Sequence, residues 1–179
     1  MNLVGVSMKK YWFALVLIAM AVISRVLPHL PNMTPITALA LFGGSYLGRR
    51  WSLIVPILAL LISDYFIGFY SGMLWVYGSF IAIGCIGIWL RDHRSIGTTI
   101  AATLAGSILF FIVTNFGVWI SSGVFYPHTV SGLLTCYTAA IPFFRNTLIG
   151  DCLYVTTLFG LYETGVKVIP ALRSEMSVV

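Results

Sequence analysis

Charge is what this chain has least of. Only 8% of its 179 residues are Asp, Glu, Lys or Arg, against roughly 25% in a soluble domain. With 59% of the chain hydrophobic and 15% aromatic, a water-soluble globule and a disordered chain are both excluded. The length suits one membrane domain without a soluble module beside it. Cysteine is scarce too: Cys85, Cys136 and Cys152 are an odd number with no C-x-x-C pair, so neither a disulfide framework nor a thiol-rich zinc site is expected. Cys85 and Cys152 read as small apolar packing residues. Missing as well are G-x-x-x-x-G-K-[ST], H-E-x-x-H, G-x-S-x-G and any closely spaced carboxylate pair. The expectation is therefore a protein that makes and breaks no covalent bond and has no metal or resident cofactor, with any ATPase on another chain. The net charge of +5 is scattered singly and in pairs and not gathered on one face, which argues against a nucleic-acid partner.

What is present is a series of apolar runs, at about residues 11–27, 36–48, 51–69, 73–90, 96–120 and 137–162. Five are long enough to cross a bilayer; the second would reach only about 20 Å. The cations decide the topology. If all six runs cross, Lys9, Lys10, Arg49, Arg50, Arg91, Arg94, Lys167 and Arg173 fall on one side, as the positive-inside rule requires, and both termini are cytoplasmic. The short second run then needs a sunken environment or local thinning. The first run has no small-residue cleavage pattern after it and reads as a retained helix. The expected fold is an all-α integral membrane bundle of six transmembrane helices, one domain over 1–179.

The remaining ionic residues are the informative ones. Arg25 and Arg145 lie within or at the outer ends of helices, Asp64 late in the third and Asp151 near the middle of the sixth. A charge at such depth costs about 2.5 to 3.5 kcal/mol and faces the bundle interior, a partner or a wet cavity. Asp64 could pair with Arg145 or with Arg25, and spacing does not choose. Arg145 and Asp151 are about 240° apart around one helix and are not an intrahelical pair. Asp151 therefore needs another neighbour or a proton.

The outward loops hold most of the other polar and aromatic residues. The stretch Pro28–Pro35, with His29 and Asn32, reads as a stiff cap. The Tyr70-Ser71-Gly72 turn is followed by Trp75 and Tyr77, and a fifth loop from Ser121 to Cys136 carries Tyr126 and His128. Beneath them come Asp64, Asn115, Trp119, Arg145 and Asn146. Together they suggest a pocket opening outward under a Pro-rich lid. The blander reading of Trp75, Tyr77, Trp119 and Tyr126 is an interfacial aromatic belt, and that of His29 and His128 is surface hydrogen bonding. Gly44 and Gly48 form a G-x-x-x-G, and Ala101, Ala102, Ala105 and Gly106 give small-residue registers on the fifth helix. Bundle packing explains these; a docking face using Ala14, Ala21, Gly44 and Gly48 is the sharper alternative. Pro56 and Pro142 mark kink sites.

Several stretches carry a family resemblance: Arg25-Val26-Leu27-Pro28-His29-Leu30-Pro31-Asn32-Met33-Thr34-Pro35, Ala38-Leu39-Ala40-Leu41-Phe42-Gly43-Gly44, Ser63-Asp64-Tyr65-Phe66, Thr114-Asn115-Phe116-Gly117-Val118-Trp119 and Pro142-Phe143-Phe144-Arg145-Asn146-Thr147. From about residue 20 to 160 the chain resembles bacterial membrane proteins similar to the substrate-binding S components of energy-coupling-factor (ECF) vitamin transporters, and among these the BtuM-type solitary cobalamin S components. The resemblance implies a multi-pass protein of the bacterial cytoplasmic (inner) membrane. It implies a six-helix bundle with an outer pocket capped by the loops after the first, third and fifth helices, and an energising ECF module as partner through small residues of the early helices. By motif, His29, Asp64, Tyr77 and Arg145 correspond to polar residues around the cobalamin site. The cobalt-ligating cysteine of those proteins has no counterpart between Gly68 and Tyr77, so the implied ligand is cobalamin or another micronutrient, such as one offering a carboxylate or phosphate to Arg145. Two other classes stay open: an intramembrane enzyme using Asp64, His29 or a cysteine, and an accessory subunit braced by an ion pair.

Overall fold

The computed structural model describes residues 8–28, 30–47, 49–121, 125–169 and 172. It is all helical among them: α1 (Met8–Val26), α2 (Ile36–Phe42) running on into a π-helical turn (Gly43–Leu47), α3 (Arg49–Ile67), α4 (Met73–Asp92), α5 (Ile96–Ser121) and α6 (Val130–Val168). Helices α3, α4 and α5 are long and apolar enough to cross a membrane, while the apolar parts of α1 (Trp12–Arg25) and α2 with its π turn (Ile36–Leu47) are shorter. Large apolar side chains such as Trp12, Met20, Phe66, Trp89 and Ile100 are exposed along the bundle, as a lipid-facing belt requires.

The contacts arrange the helices as a ring around one of their number. Helix α1 packs on α3, α3 on α4, α4 on α5, α5 on α6 and α6 on α1, while α2 touches all five. Every residue of α2 is at most 2% exposed. This explains its shortness. A helix enclosed by protein need not match the hydrocarbon thickness, because it never meets the hydrocarbon. Close approach is secured at Gly87 of α4, where a Cβ would lie 2.6 Å from the Ala40 carbonyl oxygen.

Tertiary packing decides between the two readings of the small residues and corrects two other sequence expectations. Ala14, Ala21 and Gly44 are buried inside the bundle, so they pack α1 and α2 and do not form an outer docking face; Gly48 lies outside the described residues. Cys85 and Cys152 are exposed, and only Cys136 is buried. Lipid and protein interior are equally apolar, so a small apolar residue carries no signal for facing inward. Finally, α6 begins at Val130 and not at about Tyr137, because the Thr129 hydroxyl accepts a hydrogen bond from the Gly132 amide and caps the helix.

Candidate functional site

The two ends of the bundle are defined by their hydrogen bonds. At one end Arg94 reaches the Ser45 carbonyl and Glu163, joining the ends of α2, α4 and α6. At the other end the Pro-rich segment folds over the helices. The Met33 amide donates to the Leu30 carbonyl, Asn32 takes a positive φ of 63°, and the Asn146 side-chain amide donates to the Pro31 carbonyl at 3.2 Å. Gly150 lets this lid descend onto α6, since a Cβ there would lie 2.9 Å from Met33 Cγ.

Beneath the lid, two polar nodes tie all six helices together. In the first, Arg25 of α1 donates to Asp64 Oδ1 at 2.7 Å and to the Ser63 hydroxyl of α3, and the Tyr77 hydroxyl of α4 donates to Asp64 Oδ2 at 3.0 Å. Asp64 is fully buried. Its neighbours match what a carboxylate in an apolar medium needs: a guanidinium for its charge and a hydroxyl for its second oxygen. The second node joins α2, α5 and α6. The Ser107 hydroxyl donates to Asp151 Oδ2 at 2.6 Å, and Thr37 also bonds this carboxyl. Asp151 is buried and forms no ion pair among the described residues.

Between and beside the nodes lie two adjacent chambers of about 190 Å³ each. The first is lined by Arg25, Asn32, Thr34, Ile36, Thr37, Leu60, Tyr70, Val76, Phe80, Phe110, Thr147 and Asp151. The second shares Asn32, Val76, Phe110 and Thr147 and adds Phe111, Thr114, Asn115, Val118, Ala140, Phe143 and Phe144. Helix periodicity produces these walls. Residues 110, 111, 114, 115 and 118 make one face of α5, and 140, 143, 144, 147 and 151 one face of α6. At the rim, Tyr70 has its phenol pushed above the ordinary tyrosine value, first by desolvation and then by the Asp64 charge, so it presents a neutral hydroxyl.

The residues expected from sequence separate into groups. Asn32 and Asn115 line the chambers, and Asn115 also donates to the Phe111 carbonyl at 2.8 Å. Asp64 and Tyr77 form the wall node, and Asn146 holds the lid. Trp119 and His128 brace the α5–α6 connection and do not line a chamber: the indole N–H donates to the Pro127 carbonyl at 2.9 Å, and His128 Nε2 lies 3.1 Å from the Trp119 carbonyl. Trp75 packs edge-on to Phe116, and Tyr126 is half-buried in the same connection. Arg145 is exposed and forms no ion pair among the described residues; the partner of Asp64 is Arg25. His29 lies outside the described residues. Sequence reasoning left Arg25, Thr34, Thr37, Tyr70, Thr147 and Asp151 out of the pocket. The spacing of Thr147 and Asp151, one turn apart on α6, was the available signal for two of them.

A larger cavity than either chamber, about 530 Å³, lies between α5 and α6 at the opposite, Arg94 end, where the sequence offered no pocket residue. Among the described residues no group of His, Cys, Asp and Glu side chains could hold a metal.

In comparisons with known proteins, the profile described as a family of unknown function (DUF6580) matches residues 6–172. No curated protein and no solved structure matches the chain.

Proposed function

The chain belongs to DUF6580, a family of unknown function, and we propose that it is a membrane-embedded binding and uptake protein for a compact, vitamin-like molecule, working as S components do. In this reading all six helices span a bacterial inner membrane with both termini cytoplasmic, and the lid end faces outward. No covalent chemistry is assigned to it.

The observation that carries the reading is the pair of chambers under the lid, with polar groups on α5, α6 and the lid facing aromatic walls. Buried polar and ionic groups in an apolar bundle mark substrate paths more often than packing alone explains. Their chemistry narrows the ligand. Asp151 has hydroxyl partners and no cation paired with it among the described residues, so a ligand N–H or cationic group would complete it, while Phe80, Phe110 and Phe144 suit a flat ring. Joined, the chambers reach the lower end of the usual range of roughly 300 to 1,000 Å³ for small-molecule sites. That favours a compact micronutrient over cobalamin, a far bulkier molecule. With Arg145 exposed, a carboxylate or phosphate on the ligand has no partner there. An energising module, if one docks on α1, would meet the exposed stripe of Trp12, Val16, Met20 and Ile23.

A second reading, an accessory subunit, is favoured by one observation: in the Arg25–Asp64 node both carboxylate oxygens are bonded by protein groups, which braces α1, α3 and α4 without any ligand. Mass spectrometry of small molecules co-purifying with the detergent-solubilised protein separates the two. The binding reading expects one compound retained by the wild type and lost from Asp151→Asn and Asn115→Ala while both variants stay folded. Equal retention by the variants, or no compound retained by the wild type, refutes it.

A further inference from the structure

We infer that the cavity between α5 and α6 at the Arg94 end is a binding site for one anionic phospholipid, distinct from the chambers under the lid. Its walls are mainly apolar, with Ile96, Ile100 and Leu104 on one face of α5 and Val155 and Phe159 on α6, interrupted by Thr99, Thr103 and Thr156. Gly160 leaves open space, since a Cβ there would meet no atom within 4 Å. The α5 stripe runs about 12 Å and the α6 stripe from Cys152 to Lys167 about 22 Å, at 1.5 Å per residue. These lengths bracket one leaflet of a hydrocarbon core, roughly 15 Å. Ile100 and Leu104 are exposed, so the groove opens sideways, where acyl chains lie.

The mouth of the groove supplies the complement to a phosphodiester. It holds Arg94, Lys167 and Glu163, a net charge of +1 against a headgroup carrying one negative charge. Arg94 is pre-positioned. Its guanidinium stacks over the Tyr46 ring at 4.2 Å, Nη1 donates to the Ser45 carbonyl at 3.1 Å, and Nε lies 3.8 Å from Glu163. The Tyr46 hydroxyl donates to the same carboxylate at Glu163 Oε1, at 2.6 Å. Nη2 has no partner among the described residues, and arginine held in this way suits phosphate oxygens. Basic pockets between membrane helices on the cytoplasmic side are where anionic headgroups bind. The apolar groove selects a lipid over a soluble phosphate, because a free phosphate would leave those walls unfilled.

The test is native mass spectrometry of the full chain titrated with phosphatidylglycerol or phosphatidylcholine. One phosphatidylglycerol should be retained in preference to phosphatidylcholine. Arg94→Gln and Lys167→Gln should each reduce that preference about fivefold. Gly160→Phe, and separately Ile100→Trp, should fill the groove and lose both lipids while the protein stays monodisperse. Inorganic phosphate should displace nothing. Equal retention of the two lipids, wild-type retention by a folded groove-filled variant, or displacement by phosphate alone would overturn the inference. None of these readouts depends on the compound held under the lid.

Discussion

Removing one partner of the Arg25–Asp64 pair tests how the lid-side half of the bundle is held. Asp64 is completely buried and bonded to Arg25 at 2.7 Å and Tyr77 at 3.0 Å. Arg25→Met strands a carboxylate in an apolar medium with one hydroxyl for company, and the expected loss is about 3 to 5 kcal/mol. Asp64→Leu strands the guanidinium and should cost a similar amount. The double variant removes both charges and replaces them with apolar side chains of fitting size, so it should cost only about 1 kcal/mol, which makes the coupling energy at least about 5 kcal/mol. At roughly 2 to 4 °C per kcal/mol for a chain of this size, each single variant should melt about 6 to 20 °C lower, read by thermal unfolding of monodisperse protein in detergent. Arg145→Ala is the control. It is exposed and outside the node, so it should change stability by less than about 0.5 kcal/mol. Additive single effects, or a large loss from Arg145→Ala, would show that Asp64 is neutralised by something other than Arg25.

Two further outcomes follow from the rim of the chambers. Asn32 holds a φ of 63° and lines both chambers, so Asn32→Gly should keep the fold and weaken retention of the bound compound. Asn32→Val should lose about 1 to 2 kcal/mol by forcing a β-branched residue into left-handed backbone; equal melting of the two variants would contradict the strained lid. The Tyr70 phenol, raised by desolvation and by Asp64, keeps its proton in the folded state at a pH where the unfolded chain has lost it. The folded state then binds more protons, so stability declines as pH rises past the ordinary value of 10.0. Difference absorbance of wild type against Tyr70→Phe should show the extra titration above that value, and a step at or below it would refute the assignment.

The sequence alone determined where the helices are and which ends carry charge. Apolar runs bounded by Arg49, the Tyr70 turn, Arg91 and Lys167 placed all six helices, with boundary errors mainly at α6, where the Thr129 cap outweighs a hydropathy-based start. It also singled out Asp64 and Asp151 as costly groups needing partners. Choosing those partners was beyond it, because Arg25 and Arg145 have equal claim in one dimension and only the packing of α1 beside α3 brings Arg25 to Asp64. The enclosure of α2, the outward turn of Cys85 and Cys152 and the groove between α5 and α6 belong to tertiary structure for the same reason. In water an apolar stripe marks the buried face of a helix. In a membrane both faces are apolar, so hydrophobic pattern identifies the helix and leaves its rotation to packing and to the few polar groups that must find one another.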